Sequence, residues 1–163
     1  MSDAASPAEP HEATAYHEAG HAVMALYLGR PVHKVTIEPN TQRLGQCKIN
    51  KGSFKPSHDI LEGEILILLA GAAAEARFTG VYHWAAASSD LRQVRVYSLM
   101  RAGGPKQVGR LERRMLDKTE HILSQPGLWS AVKVIAAELM KLTTISGRAA
   151  KHHFEQCMQK ADG

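Results

Sequence analysis

From Ile65 to Ala76 the chain reads ILILLAGAAAEA, apolar almost all round. A helix with no polar face must be covered by neighbours on every side, so this stretch sets the architecture: other helices have to pack around it. The predicted helix runs from about His58 to Phe78, with Ser57 as its cap and Gly80 at its end. Its many Ala and Gly residues are small enough for close packing. One residue is out of place in it. Glu75 is a lone carboxylate in an apolar helix, and a buried carboxylate demands a partner.

The remaining elements follow from local patterns. Residues 1–9 are rich in Ala, Ser and Pro and read as a disordered lead-in. Pro10 opens a helix that runs without a breaker until Gly29 and Pro31, with Tyr16, Ala19, Val23, Leu26 and Tyr27 at helical spacing. Val32 to Glu38 alternates as a strand, and Leu44 to Asn50 gives a second, so a hairpin is expected. Further helices are predicted from Ser88 or Ser89 to about Ala102, from Val108 to Ser124, from Pro126 to Thr143 and from Ser146 to Lys160. The expected fold is mostly α with a small β-sheet or hairpin. A chain of 163 residues that is 44% hydrophobic fits a single domain over residues 10–163. Within it, residues 10–50 carry the first helix and hairpin, 57–102 the central helices and 108–160 the C-terminal helices.

The first helix carries His17-Glu18-Ala19-Gly20-His21, an HExxH sequence. Four residues advance about 400° along a helix, which puts His17 and His21 on one face a turn apart. Two imidazoles so placed can reach one zinc ion. Glu18 is rotated off that line, where it can hold a water and act as a base without itself ligating. The flanking Tyr16, Ala19, Ala22 and Val23 are apolar, so the motif is partly buried, where an uncompensated His-Glu-His cluster would be costly. A catalytic zinc needs a third protein ligand. Glu75, Asp90, His58, His83 and His121 are the candidates, with helix capping as the competing role for Asp90.

Composition narrows the rest. The net charge of +4 is modest, and the basic face of Arg110, Arg113, Arg114 and Lys118 reads as a solvated surface, so nucleic acid is not an expected partner. There is no apolar run of the roughly 20 residues that a spanning helix needs, and no export signal. No GxxxxGK[ST] loop for ATP is present. Cys47 and Cys157 cannot form a disulfide framework, which suits a reducing, cytoplasmic setting. Among the nine histidines, His33 and His58 read as surface or capping residues, His152 and His153 as solvated, and His83 with Trp84 as a loop anchor.

Taken together, these segments resemble the FtsH-type zinc metalloproteases. ATAYHEAGHAV (residues 13–23) is similar to that family's zinc-helix signature. VTIEP (35–39) followed by Leu44-Gly45 resembles its strand-turn-strand, LAGAAAE (69–75) its Leu-Ala-Gly-Arg-Ala-Ala-Glu helix, and SSDL (88–91) its Asn-Asp-Leu segment. The resemblance covers residues 13 to about 100. It implies Asp90 as the third zinc ligand and Glu75 as a residue that orients a zinc-ligating histidine. Ala72 stands where that family usually has Arg, Ser89 where it has Asn, and Arg101 where an apolar residue is usual.

The resemblance implies a zinc-dependent peptidase with Zn2+ as cofactor, His17, His21 and Asp90 as ligands and Glu18 as general base. Peptides or unfolded proteins are the expected substrate, and an edge strand near Leu44 to Cys47 the expected place for them to lie. Without ATPase or membrane segments, the expectation is a peptidase domain that stands alone. Self-association is another expectation, because FtsH-type protease domains form rings, and so is a separate ATPase as motor. The competing reading is an inactive zinc module with a binding or regulatory role. The intact Glu18 favours the enzyme, because a decayed one loses its base before its metal.

Overall fold

The computed structural model describes residues 10–39 and 58–163. Its elements, in chain order, are α1 (Pro10–Tyr27), β1 (Lys34–Thr36), α2 (His58–Thr79), α3 (Ser88–Arg101), α4 (Pro105–Leu123), α5 (Pro126–Leu142), β2 (Thr144–Ser146) and α6 (Gly147–Asp162). The helix boundaries match the sequence expectations to within about three residues. The lead-in at 1–9, the strand at 44–50 and the Ser57 cap lie outside the described residues.

The apolar helix α2 is central, as its composition requires. Every residue from Ile65 to Ala76 except Leu68 is buried. It packs against α1, α3 and α4. The approach of α1 is especially close. A Cβ at Gly20 would strike the Ala70 carbonyl oxygen and lie 2.6 Å from Ala74 Cβ, nearer than two carbons can sit. Glycine inside HEAGH and alanine on α2 therefore let the two helices meet almost backbone to backbone. That contact turns the histidine face of α1 onto α2.

Helix α5 covers the other side of α1. Its buried residues Leu128, Ala131, Val132, Ile135, Ala136 and Leu139 recur at three- and four-residue intervals, the spacing of one apolar face. α6 packs on α5, and Ser146 caps it by accepting a hydrogen bond from the Ala149 N–H at 3.1 Å. One contiguous buried cluster draws residues from all of these elements.

The described sheet pairs β1 with a later strand, while the expected hairpin partner at 44–50 lies outside the described residues. The described partner of β1 is β2, antiparallel, with Lys34 opposite Ser146, Val35 opposite Ile145 and Thr36 opposite Thr144. The pairing continues beyond the strands: Ile37 N–H donates to the Thr143 carbonyl at 3.0 Å, and Gly147 N–H to the His33 carbonyl at 2.8 Å. Thr36 and Thr144 hydroxyls bond to each other at 2.7 Å. Three residues, Thr-Ile-Ser, carry too little alternation to announce a strand. Thr143, just before β2, holds a positive φ of 66°. A β-branched residue is strained there by about 1–3 kcal/mol, and the hydrogen bond from Ile37 holds it in place.

Candidate metal centre

Three side chains converge where α1, α2 and the start of α3 meet. His17 Nε2 lies 3.1 Å from His21 Nε2 and 3.1 Å from Asp90 Oδ2, and His21 Nε2 lies 3.3 Å from Asp90 Oδ2. The helical spacing of α1 aligns the two imidazoles. Asp90 arrives from 69 residues further along the chain, at the third position of α3. It does not cap that helix: the N-cap is Ala87, with no side-chain cap hydrogen bond. Its side chain is 2% exposed.

The donor set suits a divalent cation. His21 Nδ1–H donates to the Ile67 carbonyl of α2 at 2.7 Å, which leaves the Nε2 lone pair directed at the other two donors. That lone pair and the Asp90 carboxylate are both acceptors, so at 3.3 Å they repel unless a cation or an added proton lies between them. Four donors bound tetrahedrally to zinc at 2.0–2.1 Å stand about 3.3–3.4 Å apart. The observed triangle is within about 0.3 Å of that. His17, His21 and Asp90 form the one group of metal-ligating side chains found among the described residues.

Gly71 forms part of the wall. A Cβ at this position would lie 2.5 Å from His21 Nε2 and 2.7 Å from His17 Nε2, intruding on both donors. Gly71 is one turn after Ile67, so the missing side chain opens the same face of α2 to the His21 ring. Neither the Ile67 carbonyl nor Gly71 was singled out from the sequence. A backbone acceptor leaves no residue signature. Gly71 did leave one, since a glycine among alanines in a helix gives up roughly 0.5–1 kcal/mol unless space is needed.

Glu18 is partly buried beside His17, and among the described residues its carboxylate has no hydrogen bond or ion pair. Glu75 is buried, as expected, and its carboxylate Oε2 lies 3.4 Å from His83 Nδ1. The acceptor on His21 Nδ1 is a backbone carbonyl instead. Of the other candidates, His121 is exposed on α4, and the His58 side chain is outside the described set. Trp84 stacks on Tyr82 with ring centroids 4.3 Å apart, so the His83-Trp84 segment is an anchored loop. A cavity of about 320 Å³ lies on the α4 side of that loop, lined in part by Arg77, Tyr82 and Glu120. None of the three donors lines it. Tyr16 stacks on Phe78 at 3.9 Å, and burial, then Glu12, holds its phenol above the ordinary value.

Comparison with known sequences decides the family. The description "Peptidase family M41" matches residues 5–126, which include all three donors and Glu18. The chain belongs to peptidase family M41. Among similar M41 relatives, the ATP-dependent zinc metalloprotease FtsH of Cupriavidus metallidurans is 48% identical over 75 residues, 43% of this chain and 11% of that protein. FtsH 2 of Salinibacter ruber is 36% identical over 91 residues, 53% of this chain and 13% of the relative. FtsH 2 of Methylacidiphilum infernorum is 37% identical over 95 residues, 55% and 14% respectively. The chain thus spans a small part of these relatives, roughly a seventh of their length or less. Among the described residues, no helix is long and apolar enough to cross a membrane.

Proposed function

We propose that this M41 chain is a zinc metallopeptidase that hydrolyses peptide bonds in peptides or unfolded proteins. The observation that carries the reading is the convergence of His17 Nε2, His21 Nε2 and Asp90 Oδ2 at 3.1–3.3 Å, with a Glu18 carboxylate beside His17 that has no hydrogen bond or ion pair among the described residues. His17, His21 and Asp90 would hold the ion. Zinc bound there would supply Lewis acidity, lowering the pKa of a water far below its bulk value and polarising the scissile carbonyl. The Ile67 carbonyl fixes the His21 tautomer and keeps its ring aimed. Glu18 takes the proton of the attacking water and passes it to the leaving amine. The buried surroundings of Asp90 and His21 strengthen these electrostatic effects relative to water.

Hydrolysis of this kind consumes no nucleotide, so the chemistry is ATP-independent in itself. The relatives are named ATP-dependent, and a separate ATPase docking on this chain is part of the same proposal, as is self-association. Pull-down and light scattering address those two. One peptidase domain over residues 10–163 and a cytoplasmic site of action complete the reading. Supporting them are the single contiguous core and the unpaired thiol of Cys157.

The test combines metal analysis with a fluorogenic-peptide assay. Glu18→Gln is expected to keep stoichiometric zinc and lose hydrolysis by about 10²–10⁴-fold, the typical contribution of a positioned base. Full activity in that variant would sink the mechanism. Zinc uptake by a wild-type chain that cleaves nothing would favour the binding or regulatory module.

A further inference from the structure

We infer that Glu75 and His83 form a clamp that positions Asp90, the third donor of the centre. This rests on the metal-centre reading above and adds a residue to it. The start of α3 fixes where Asp90 stands. That helix has no side-chain cap, because its N-cap is Ala87. Its first turn is held instead by a run of tight turns: Ala86 N–H donates to the His83 carbonyl at 3.1 Å, Ala87 N–H to Trp84 at 3.0 Å and Ser88 N–H to Ala85 at 3.4 Å. Leu91 N–H then donates to Ala87 at 2.9 Å and closes the helix around Asp90. The first link of this chain of bonds is His83.

The half-exposed His83 side chain faces a carboxylate on α2. Its Nδ1 lies 3.4 Å from the Glu75 carboxylate, which is buried on α2. Glu75 is one turn after Gly71, so it shares the α2 face that touches the two ligating nitrogens. One face of α2 therefore carries the wall of the metal centre and the anchor of its third ligand. This also explains why a carboxylate is kept where alanine would form a better helix. The family resemblance implies that Glu75 orients a ligating histidine. For His21 the acceptor is the Ile67 carbonyl, and the described partner of the Glu75 carboxylate is His83.

The test uses the full chain with Co2+ and Zn2+ as probes. Metal affinity is measured against a competing chelator, the cobalt visible spectrum reports geometry, and amide exchange is followed in the metal-free chain. Glu75→Ala and His83→Ala are expected to weaken Co2+ and Zn2+ binding by about 10–100-fold and to alter the cobalt bands. His83→Asn restores an N–H near the place of Nδ1 and is expected to recover most of the affinity. Exchange should accelerate at Ala86, Ala87, Ser88 and Leu91 in both alanine variants, with the α5 amides unchanged. Wild-type affinity and exchange in either alanine variant would overturn the clamp, as would a His83→Asn variant no better than His83→Ala. If the wild-type chain takes up neither metal, the metal-centre reading falls. Exchange in the metal-free chain then decides the clamp alone, and an unchanged rate in Glu75→Ala refutes it.

Discussion

At position 71 a single methyl group is enough to disturb the centre. Gly71→Ala raises the intrinsic helix propensity of α2 by roughly 0.5–1 kcal/mol, yet its Cβ would fall 2.5 Å from His21 Nε2. Metal affinity is expected to drop by about 10-fold or more, measured by chelator competition. An affinity equal to wild type would mean that the rings yield without cost. The same scale separates the roles of the two carboxylates around the motif. Glu18 has no hydrogen bond or ion pair among the described residues, whereas the Glu75 carboxylate lies 3.4 Å from His83 Nδ1. Residue type alone could not separate them, because both are glutamates in helices. What distinguishes them is which neighbour the fold supplies.

Among the elements, the α1–α2 contact governs the site. Gly20 belongs to the HExxH motif but does packing, admitting the Ala70 carbonyl and Ala74 Cβ where any side chain would collide. Gly20→Ala is expected to destabilise the chain by about 1–3 kcal/mol through overpacking. In a thermal melt this corresponds to about 2–12 °C, at 2–4 °C per kcal/mol for this size. An unchanged melting temperature would show that α1 and α2 can separate freely. The helices themselves were legible in the sequence, because Pro10, Gly29, Gly80, Pro105 and Pro126 punctuate them and apolar residues recur at helical spacing. The short strand β2 was not legible. Its only strong cue is Ile145, and its partner lies 108 residues earlier at Thr36. The strained Thr143 before it shows that pairing, and not local preference, dictates the backbone there.

For the molecule as a whole, the metal would act as a cross-link between α1 and α3. A ligand that binds only the folded chain stabilises it by about 2.7 kcal/mol at a free concentration of 100 Kd. Stripping the ion with a chelator is therefore expected to lower the melting temperature by about 5–11 °C, and adding zinc back should restore it. A melting temperature indifferent to both would argue against a bound ion in the fold. The sequence by itself determined that His17 and His21 share a helix face with Glu18 beside them, because a four-residue spacing in a helix is a local rule that needs no tertiary contact. It also determined the central place of α2, since a helix apolar all round has only one kind of environment. The sequence offered Asp90 as one of five candidates and the resemblance singled it out; the folded chain brings it to His17 across 73 residues and gives the N-cap position to Ala87. Tertiary structure alone decided the Ile67 carbonyl, the Gly71 gap and the partner of Glu75. Each of these depends on which backbones come into contact, and local periodicity carries no information about that.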